Sequence, residues 1–187
     1  MAKVYVFLAD GFEDIEAIAP IDILRRSGMS VTTVSINGTD QVTSAHGVTI
    51  KADTVFERAC LDDADMLMLP GGMPGSANLD SHDGVRKALL EQARQGKHIG
   101  AICAAPMVLG HLGLLKGRKA TCYPGFEGEL TGAEYTAQTA TVDGNIITGE
   151  GPAAAFEYAY RIVELLKDKD TADTLRHGMM YAHLMND

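Results

Sequence analysis

One cysteine stands where a run of small and apolar residues gives way to a helical pattern. Residues 100–106 are GAICAAP, with Cys103 at the end of an expected strand and Pro106 early in the next helix. Unpaired amides and the positive end of a helix dipole favour a thiolate there. A sharp turn between small residues also exposes its side chain, as in nucleophile elbows. The pattern favours a nucleophilic thiol, and its alternative is a buried cysteine that packs as a small hydrophobe.

A glutamate in an apolar stretch is the candidate proton carrier. Glu16 has the apolar residues Ile15 and Ala17 on either side, in a segment that follows the first expected strand. A carboxyl group that loses its water has a raised pKa, so Glu16 is a plausible general acid or base beside a thiolate. The alternative is a surface glutamate on a first helical turn.

Two adjacent glycines follow another expected strand. Gly71 and Gly72 come directly after Pro70, and residues without a Cβ let backbone amides approach a ligand oxygen closely. They could form an oxyanion hole; the alternative is a turn that needs a positive φ. The loop lacks the Gly-Lys-Ser/Thr ending of a phosphate loop, so ATP use is unsupported.

The remaining cysteines and the histidines give weaker signals. Six histidines show neither HExxH nor paired Cys/His spacing, so no metal site is indicated. Among them, His46 is kept as a possible group at the edge of the site. Cys122 ranks second to Cys103 as a reactive thiol, whereas Cys60 is expected to pack against its helix. An odd number of cysteines without an export signal favours free thiols.

Composition bounds the class of protein. The chain has 187 residues, of which 46% are hydrophobic and 22% charged, and no linker divides it, so one domain over 1–187 is expected. A formal charge of −9 disfavours nucleic acid and anionic membranes as partners. No signal peptide or membrane-spanning run is visible, and a cytoplasmic location is expected.

Strand-like and helix-like segments alternate along the chain. This order predicts a mainly parallel sheet in a three-layer α/β/α sandwich. Asp143-Gly144 predicts an antiparallel hairpin near one edge, and 42–53 a second ribbon. The expected strands are 3–9, 30–36, 64–70, 97–102, 119–123 and 144–150, and the expected helices are 14–27, 81–95, 104–115, 153–167 and a segment from 171. Because sites collect at the carboxyl ends of parallel strands, Glu16, the glycine pair and Cys103 should share one rim.

Four segments together resemble the DJ-1/ThiJ/PfpI family of flavodoxin-like proteins. They are DGFEDIEAIAPIDILRRSG, LPGGMPGSANL, GAICAAP and GEGPAAAFEYAYRIVELL, in the family's order and over nearly the whole chain. The resemblance implies that Cys103 is the elbow cysteine, that Glu16 hydrogen-bonds it, and that the amides of Gly71 and Gly72 lie beside it. Ala104 is implied as a neighbour in the substrate site.

The resemblance also implies a homodimer, in which Arg26 of the first helix approaches the partner's site, and it places Pro152 at the site edge. Two positions depart from the family's branches. Ala104 stands where the peptidase-like branch has a histidine, and Tyr123 stands where the deglycase-like branch often has one. Tyrosine is a poor base at neutral pH, so proton transfer would depend on Glu16.

The leading functional hypothesis is a glutathione-independent glyoxalase or deglycase of the lyase or hydrolase type. Its substrates would be small 2-oxoaldehydes such as methylglyoxal, or glycated proteins carrying their adducts, and it would need no cofactor. An oxidative-stress sensor or redox-regulated chaperone that uses Cys103 is the rival. Amidotransferase-like or peptidase hydrolysis is disfavoured because Ala104 replaces a histidine.

Overall fold

A mainly parallel sheet forms the centre of the protein. The structure is a computed structural model and describes residues 1–184. Its strands, in chain order, are β1 (Lys3–Leu8), β2 (Ser30–Ser35), β3 (Gln41–Thr43), β4 (Thr49–Lys51), β5 (Thr54–Val55), β6 (Met66–Leu69), β7 (His98–Ile102), β8 (Lys119–Ala120), β9 (Glu134–Tyr135), β10 (Ala140–Asp143) and β11 (Ile146–Gly149). Seven of them form one sheet in the order β10-β11-β7-β6-β1-β2-β5, in which β10 alone runs antiparallel.

Helices cover both faces of this sheet. They are α1 (Asp14–Arg26), α2 (Gly75–Ser81), α3 (Asp83–Arg94), α4 (Pro106–His111), α5 (Ala155–Leu166), α6 (Lys169–Gly178) and α7 (Tyr181–Leu184), with short 3-10 turns at Phe56–Arg58, Glu127–Glu129 and Pro152–Ala154. Successive strand side chains point to opposite faces, so Val6 packs with α1 and α5, and Phe7 with α3 and α4. Two apolar cores result, and the predicted flavodoxin-like three-layer sandwich is confirmed.

Both predicted ribbons are present. Asp143-Gly144 joins β10 to β11 at one edge, and Gly144 has the positive φ of 60° that such a turn requires. The second ribbon pairs β3 with β4. It therefore begins one residue before the predicted segment 42–53 and ends inside it.

Two predicted elements are much shorter than expected. The strand expected at 119–123 is reduced to Lys119–Ala120, which pairs with β9 outside the main sheet. Beyond it the chain bonds other partners, since the Thr121 amide donates to Thr148 Oγ1 at 2.9 Å. The helix expected at 104–115 spans Pro106–His111, because Gly113 takes a φ of 72° at its end.

The helix expected at 81–95 is present as α3, and a further helix, α2, precedes it. His82 adopts an extended conformation between α2 and α3, and its ring accepts a hydrogen bond from the Val85 amide at 3.1 Å. α2 was missed because its sequence, GSANLDS, has no apolar period. The C-terminal helix begins at Lys169 and is followed by α7, while 185–187 lie outside the described residues.

Within residues 1–184 no helix combines the length and the apolar character that crossing a bilayer requires.

Candidate active site

The backbone of Cys103 is held in an uncommon conformation at the end of β7. Its φ is 65°, a region that costs a residue with a side chain about 1–2 kcal/mol. Its amide donates to the Gly149 carbonyl and its carbonyl accepts from the Tyr123 amide, each at 2.9 Å. These bonds fix the turn between β11 and the segment after β8. The sharp strand-to-helix turn is the geometry of a nucleophile elbow.

Glu16 reaches this turn from the first turn of α1. Its side chain is fully buried, and its amide donates to Glu13 Oε2 at 2.8 Å, which caps the helix and orients the residue. Burial raises the pKa of the Glu16 carboxyl to about 7; hydrogen bonding to Cys103 lowers it, and the nearby charge of Glu13 raises it. Neither carboxyl oxygen has a partner of ordinary hydrogen-bond geometry within residues 1–184. The site therefore contains a buried acid that holds a proton close to neutral pH.

Gly71 is the point at which the acid, the thiol and the loop after β6 meet. A Cβ on Gly71 would lie 2.4 Å from Glu16 Oε2 and 2.6 Å from Cys103 Cβ. No side chain fits there without moving both groups. The Gly71 carbonyl also accepts from the Glu13 amide at 2.9 Å, which ties the loop to the start of α1. The three loops predicted to share one rim are thus in direct contact.

The electrostatics of the thiol differ from the sequence prediction. Burial raises the pKa of Cys103 well above its ordinary 9.0, and the charge on Glu16 and the hydrogen bond with it raise it further. The amides of Gly72 and Ala104 act in the opposite direction but do not dominate. The amides at the start of the helix therefore do not by themselves make this buried thiol acidic, and the thiolate expected from the sequence stays a prediction. A thiolate in this pocket requires that Glu16 keep its proton, because two adjacent buried charges of one sign repel strongly.

The two glycines have separate roles. The Gly71 amide lowers the pKa of the Glu16 carboxyl, while the amides of Gly72 and Ala104 lower the pKa of the Cys103 thiol. Gly72 has a φ of 89°, and a Cβ there would lie 2.4 Å from the backbone nitrogen of Glu13. The amides positioned for an oxyanion beside the sulfur are those of Gly72 and Ala104.

A groove adjoins the elbow on the side of Tyr123. Its volume is about 250 Å³, and it is lined by Tyr123, Pro124 and residues 150–154. Pro152 thus lines this groove together with Tyr123, which is 46% exposed. Sequence reasoning missed Glu150. The available signal was its position directly after β11, at the same carboxyl edge of the sheet as Cys103.

His46 lies beside the first residue of α1. Its Nδ1 is 2.9 Å from Asp14 Oδ2, and its side chain is 70% exposed. Glu13, Asp14 and His46 offer ligand atoms within 4.8 Å of one another, so these three could hold a metal ion. The sequence showed no metal spacing, and the tertiary structure alone groups these residues.

The other sequence candidates lie elsewhere. Arg26 is ten residues beyond Glu16, about 15 Å along α1, and its Nε is 2.7 Å from Asp22 Oδ2. Cys122 is buried in the core opposite the one that contains Cys103, and burial raises its pKa to about 12. Cys60 is exposed. The expectation that Cys60 packs against its helix is therefore wrong.

Comparison with known proteins identifies the family. The model of the DJ-1/PfpI family matches residues 2–165. The chain belongs to this family. Among solved structures, oxidised DJ-1 from Toxoplasma gondii superposes with a TM-score of 0.94 at 36% identity, over 97% of this chain and 100% of that one.

Curated DJ-1/PfpI relatives agree in sequence but vary in length. A protein named deglycase PH1704, from Pyrococcus horikoshii, is 33% identical over 88% of this chain and 99% of its own length. Protein DJ-1 homolog B from Arabidopsis thaliana is 37% identical over 91% of this chain. The chain spans 39% of that longer relative.

Proposed function

We propose that this protein is a cysteine-dependent enzyme that converts 2-oxoaldehydes such as methylglyoxal, or their adducts on proteins, to hydroxy acids without a cofactor. The observation that carries the proposal is the contact of a buried carboxyl, with a pKa of about 7, and an elbow thiol around Gly71. This pair can transfer one proton at neutral pH. The deglycase name of the Pyrococcus horikoshii relative supports the same chemistry.

The proposed reaction begins at the aldehyde carbon. The Cys103 sulfur forms a bond to that carbon, the carbonyl π electrons move to oxygen, and the oxygen receives a proton, which gives a hemithioacetal. Glu16 removes the proton from this carbon and returns one to the neighbouring keto carbon, while the hydroxyl proton moves to the keto oxygen. The product is a thioester of the hydroxy acid. Water then breaks the carbon–sulfur bond, so methylglyoxal and water give lactate with no external oxidant.

The backbone amides and Tyr123 have supporting roles in this scheme. The amides of Gly72 and Ala104 lower the pKa of Cys103, and in this scheme they also stabilise the negative charge that develops on the substrate oxygen. Tyr123 presents a hydroxyl group at the groove and is a donor rather than a base at neutral pH. Glu16 is therefore the one proton carrier that the scheme requires.

A cofactor-free assay tests the proposal. Purified wild type should convert methylglyoxal to lactate without glutathione, and both Cys103→Ala and Glu16→Gln should lower kcat/KM on the order of 10²-fold or more. Cys60→Ala, which removes an exposed thiol, is the control and should keep full activity. Lactate formation by Cys103→Ala at the parent rate would exclude the mechanism.

A second candidate function is a redox sensor or redox-regulated chaperone. It is favoured by the oxidised state of the Toxoplasma gondii DJ-1 structure and by the amides and the protonated Glu16 that surround the sulfur. Oxidation to the sulfinic acid would consume two peroxide molecules, each reduced to water.

Mass spectrometry after mild peroxide treatment separates the two functions. If the sensor is correct, Cys103 gains two oxygen atoms, Glu16→Gln changes the rate of that gain, and suppression of client aggregation changes with it. Rapid turnover of 2-oxoaldehydes by the reduced protein supports the enzyme instead.

A further inference from the structure

The groove beside the elbow carries a carboxylate that the proposed mechanism does not use. Glu150 follows β11, whose last residue, Gly149, accepts the hydrogen bond from the Cys103 amide. Tyr123 also lines the groove, and its amide donates to the Cys103 carbonyl. The segments that carry Glu150 and Tyr123 are thus both hydrogen-bonded to the backbone of the nucleophile.

Glu150 has no cation to balance its charge. Within residues 1–184 its carboxylate makes neither an ion pair nor a hydrogen bond, although many surface acids of this protein do. The nearby Glu127 is different, because its carboxylate accepts from the Gly125 amide. A partly buried, unpaired carboxylate at a groove is available to a ligand.

The charged groups that shift the pKa values of Cys122, Tyr135 and Glu16 are carboxylates. In addition to burial, the charges of Glu127 and Glu150 raise the pKa of Cys122 and of Tyr135, and the charge of Glu13 raises that of Glu16. No lysine, arginine or histidine contributes to these shifts in the described chain.

We propose that the groove is a specificity subsite for a positively charged part of the substrate, with Glu150 as the residue that selects for it. A cation seated there would meet the carboxylate of Glu150 and the half-exposed ring of Tyr123, an arrangement that attracts ammonium and guanidinium groups. The subsite rests on the proposed function for the reacting aldehyde. It favours cationic and neutral substrates over anionic ones such as glyoxylate.

The test measures charge selection at Cys103 without turnover. Three methanethiosulfonates with the same reacting group carry a trimethylammonium, a sulfonate or a plain methyl group. In each, the Cys103 sulfur attacks the sulfenyl sulfur, a disulfide forms and methanesulfinate leaves. Rates are measured by peptide mass spectrometry in a Cys60→Ala background and divided by the rates with a free small thiol.

We expect the corrected cation-to-anion rate ratio at Cys103 to be on the order of tenfold at low salt. Glu150→Gln should lower the ratio several-fold and Glu150→Lys should invert it, while 1 M salt should weaken it in the parent. Glu57→Gln is the matched control, because it removes the same charge from an exposed position outside the groove and should leave the ratio unchanged. Thermal unfolding of each variant verifies the fold.

Two results would overturn the subsite. One is an equal ratio in the parent and in Glu150→Gln; the other is the failure of all three reagents to modify Cys103. Steady-state kinetics add an independent readout, since Glu150→Gln should raise the ratio of kcat/KM for glyoxylate to that for methylglyoxal several-fold. A parent that selects reagents by charge but converts no aldehyde would refute the proposed function and leave the subsite supported.

Discussion

At the scale of single residues, Glu16 and Cys103 form one titrating unit. Both are buried; the Cys103 thiol lowers the pKa of the Glu16 carboxyl through a hydrogen bond, whereas the charge on Glu16 raises the pKa of Cys103, so a thiolate forms only while Glu16 is protonated. The Cys103 backbone already stores strain at a φ of 65°. Reactivity therefore depends on where one proton resides rather than on an intrinsically acidic thiol.

Replacement of Glu16 by Gln should change the pH dependence of stability. The folded-state pKa of about 7 lies above the ordinary 4.5, so the stability that the protonated carboxyl supplies is complete below 4.5 and is lost as pH rises through 7. This difference corresponds to roughly 3 kcal/mol. In urea unfolding, the free energy of unfolding of Glu16→Gln relative to that of wild type should therefore rise by up to about 3 kcal/mol between pH 4 and pH 8. Glu57→Gln should show no such trend, and a flat difference for Glu16→Gln would contradict the buried charge.

Replacement of Gly71 by Ala should displace the catalytic pair. The added Cβ meets Glu16 Oε2 at 2.4 Å and Cys103 Cβ at 2.6 Å, so one of these groups must move. Misplacement by about 1 Å costs on the order of 10²-fold in rate, which methylglyoxal kinetics would measure. Gly128→Ala is the control, because nothing lies within 4 Å of the added atom. An active Gly71→Ala enzyme would show that the contact does not matter for chemistry.

At the scale of elements, one histidine connects three of the segments that frame the site. His111 ends α4, and its Nδ1 and Nε2 each lie 2.8 Å from a carboxylate oxygen, of Asp80 on α2 and Glu129 on the 3-10 turn. Arg86 on α3 also bonds Asp80, at 2.6 Å. Hydrogen bonds to Glu129 and Asp80 raise the pKa of His111. The imidazolium therefore holds the helix after Cys103 against the loops that follow Gly72 and Tyr123.

His111→Ala should destabilise the protein most at low pH. A histidine with a raised folded-state pKa supplies stability that is complete below its ordinary 6.5 and is lost as pH rises through the raised value. We expect a loss of roughly 1–2 kcal/mol at pH 6 and a smaller loss at pH 9, measured by denaturant unfolding. His177→Ala, at an exposed position near the end of α6, serves as control. Equal losses at the two pH values would argue against the charged bridge.

At the scale of the whole molecule, α1 leaves an apolar surface uncovered. Ile15 and Ile18 are 48% and 44% exposed, and Val48 is 53% exposed beside them. With Phe156 they line a groove of about 730 Å³. Contiguous exposed apolar surface of this kind marks an interface in soluble proteins. Because the family resemblance implies a homodimer, we propose that a second copy covers this surface.

The dimer prediction concerns one charged substitution. Ile18→Glu should convert the protein from dimer to monomer at micromolar concentration, since it places a carboxylate in the apolar surface. Size-exclusion chromatography with light scattering measures the change. Leu90→Glu is the control, because Leu90 is 45% exposed on α3 in the opposite helical layer. A monomeric wild type, or a dimeric Ile18→Glu, would refute the interface.

Prediction from sequence succeeded where burial follows directly from local pattern. The unbroken apolar run of β6 indicated a strand covered on both faces, and the apolar neighbours of Glu16 indicated its desolvation. It failed where nonlocal bonds compete with local propensity. Residues after Ala120 leave the strand because Thr121 and Tyr123 donate to distant partners, and no periodic pattern encodes that choice.

The sequence by itself determined the three-layer fold, the positions of Cys103 and the glycine pair at strand ends and that of Glu16 near the start of the first helix, because periodicity and chain order are local properties. The tertiary structure decided what these groups do. Only packing brings Gly71 against both reactive side chains and sets the proton affinity of the pair, and only packing places Glu150 on a groove. Desolvation and charge proximity depend on distances through space, which spacing along the chain does not fix.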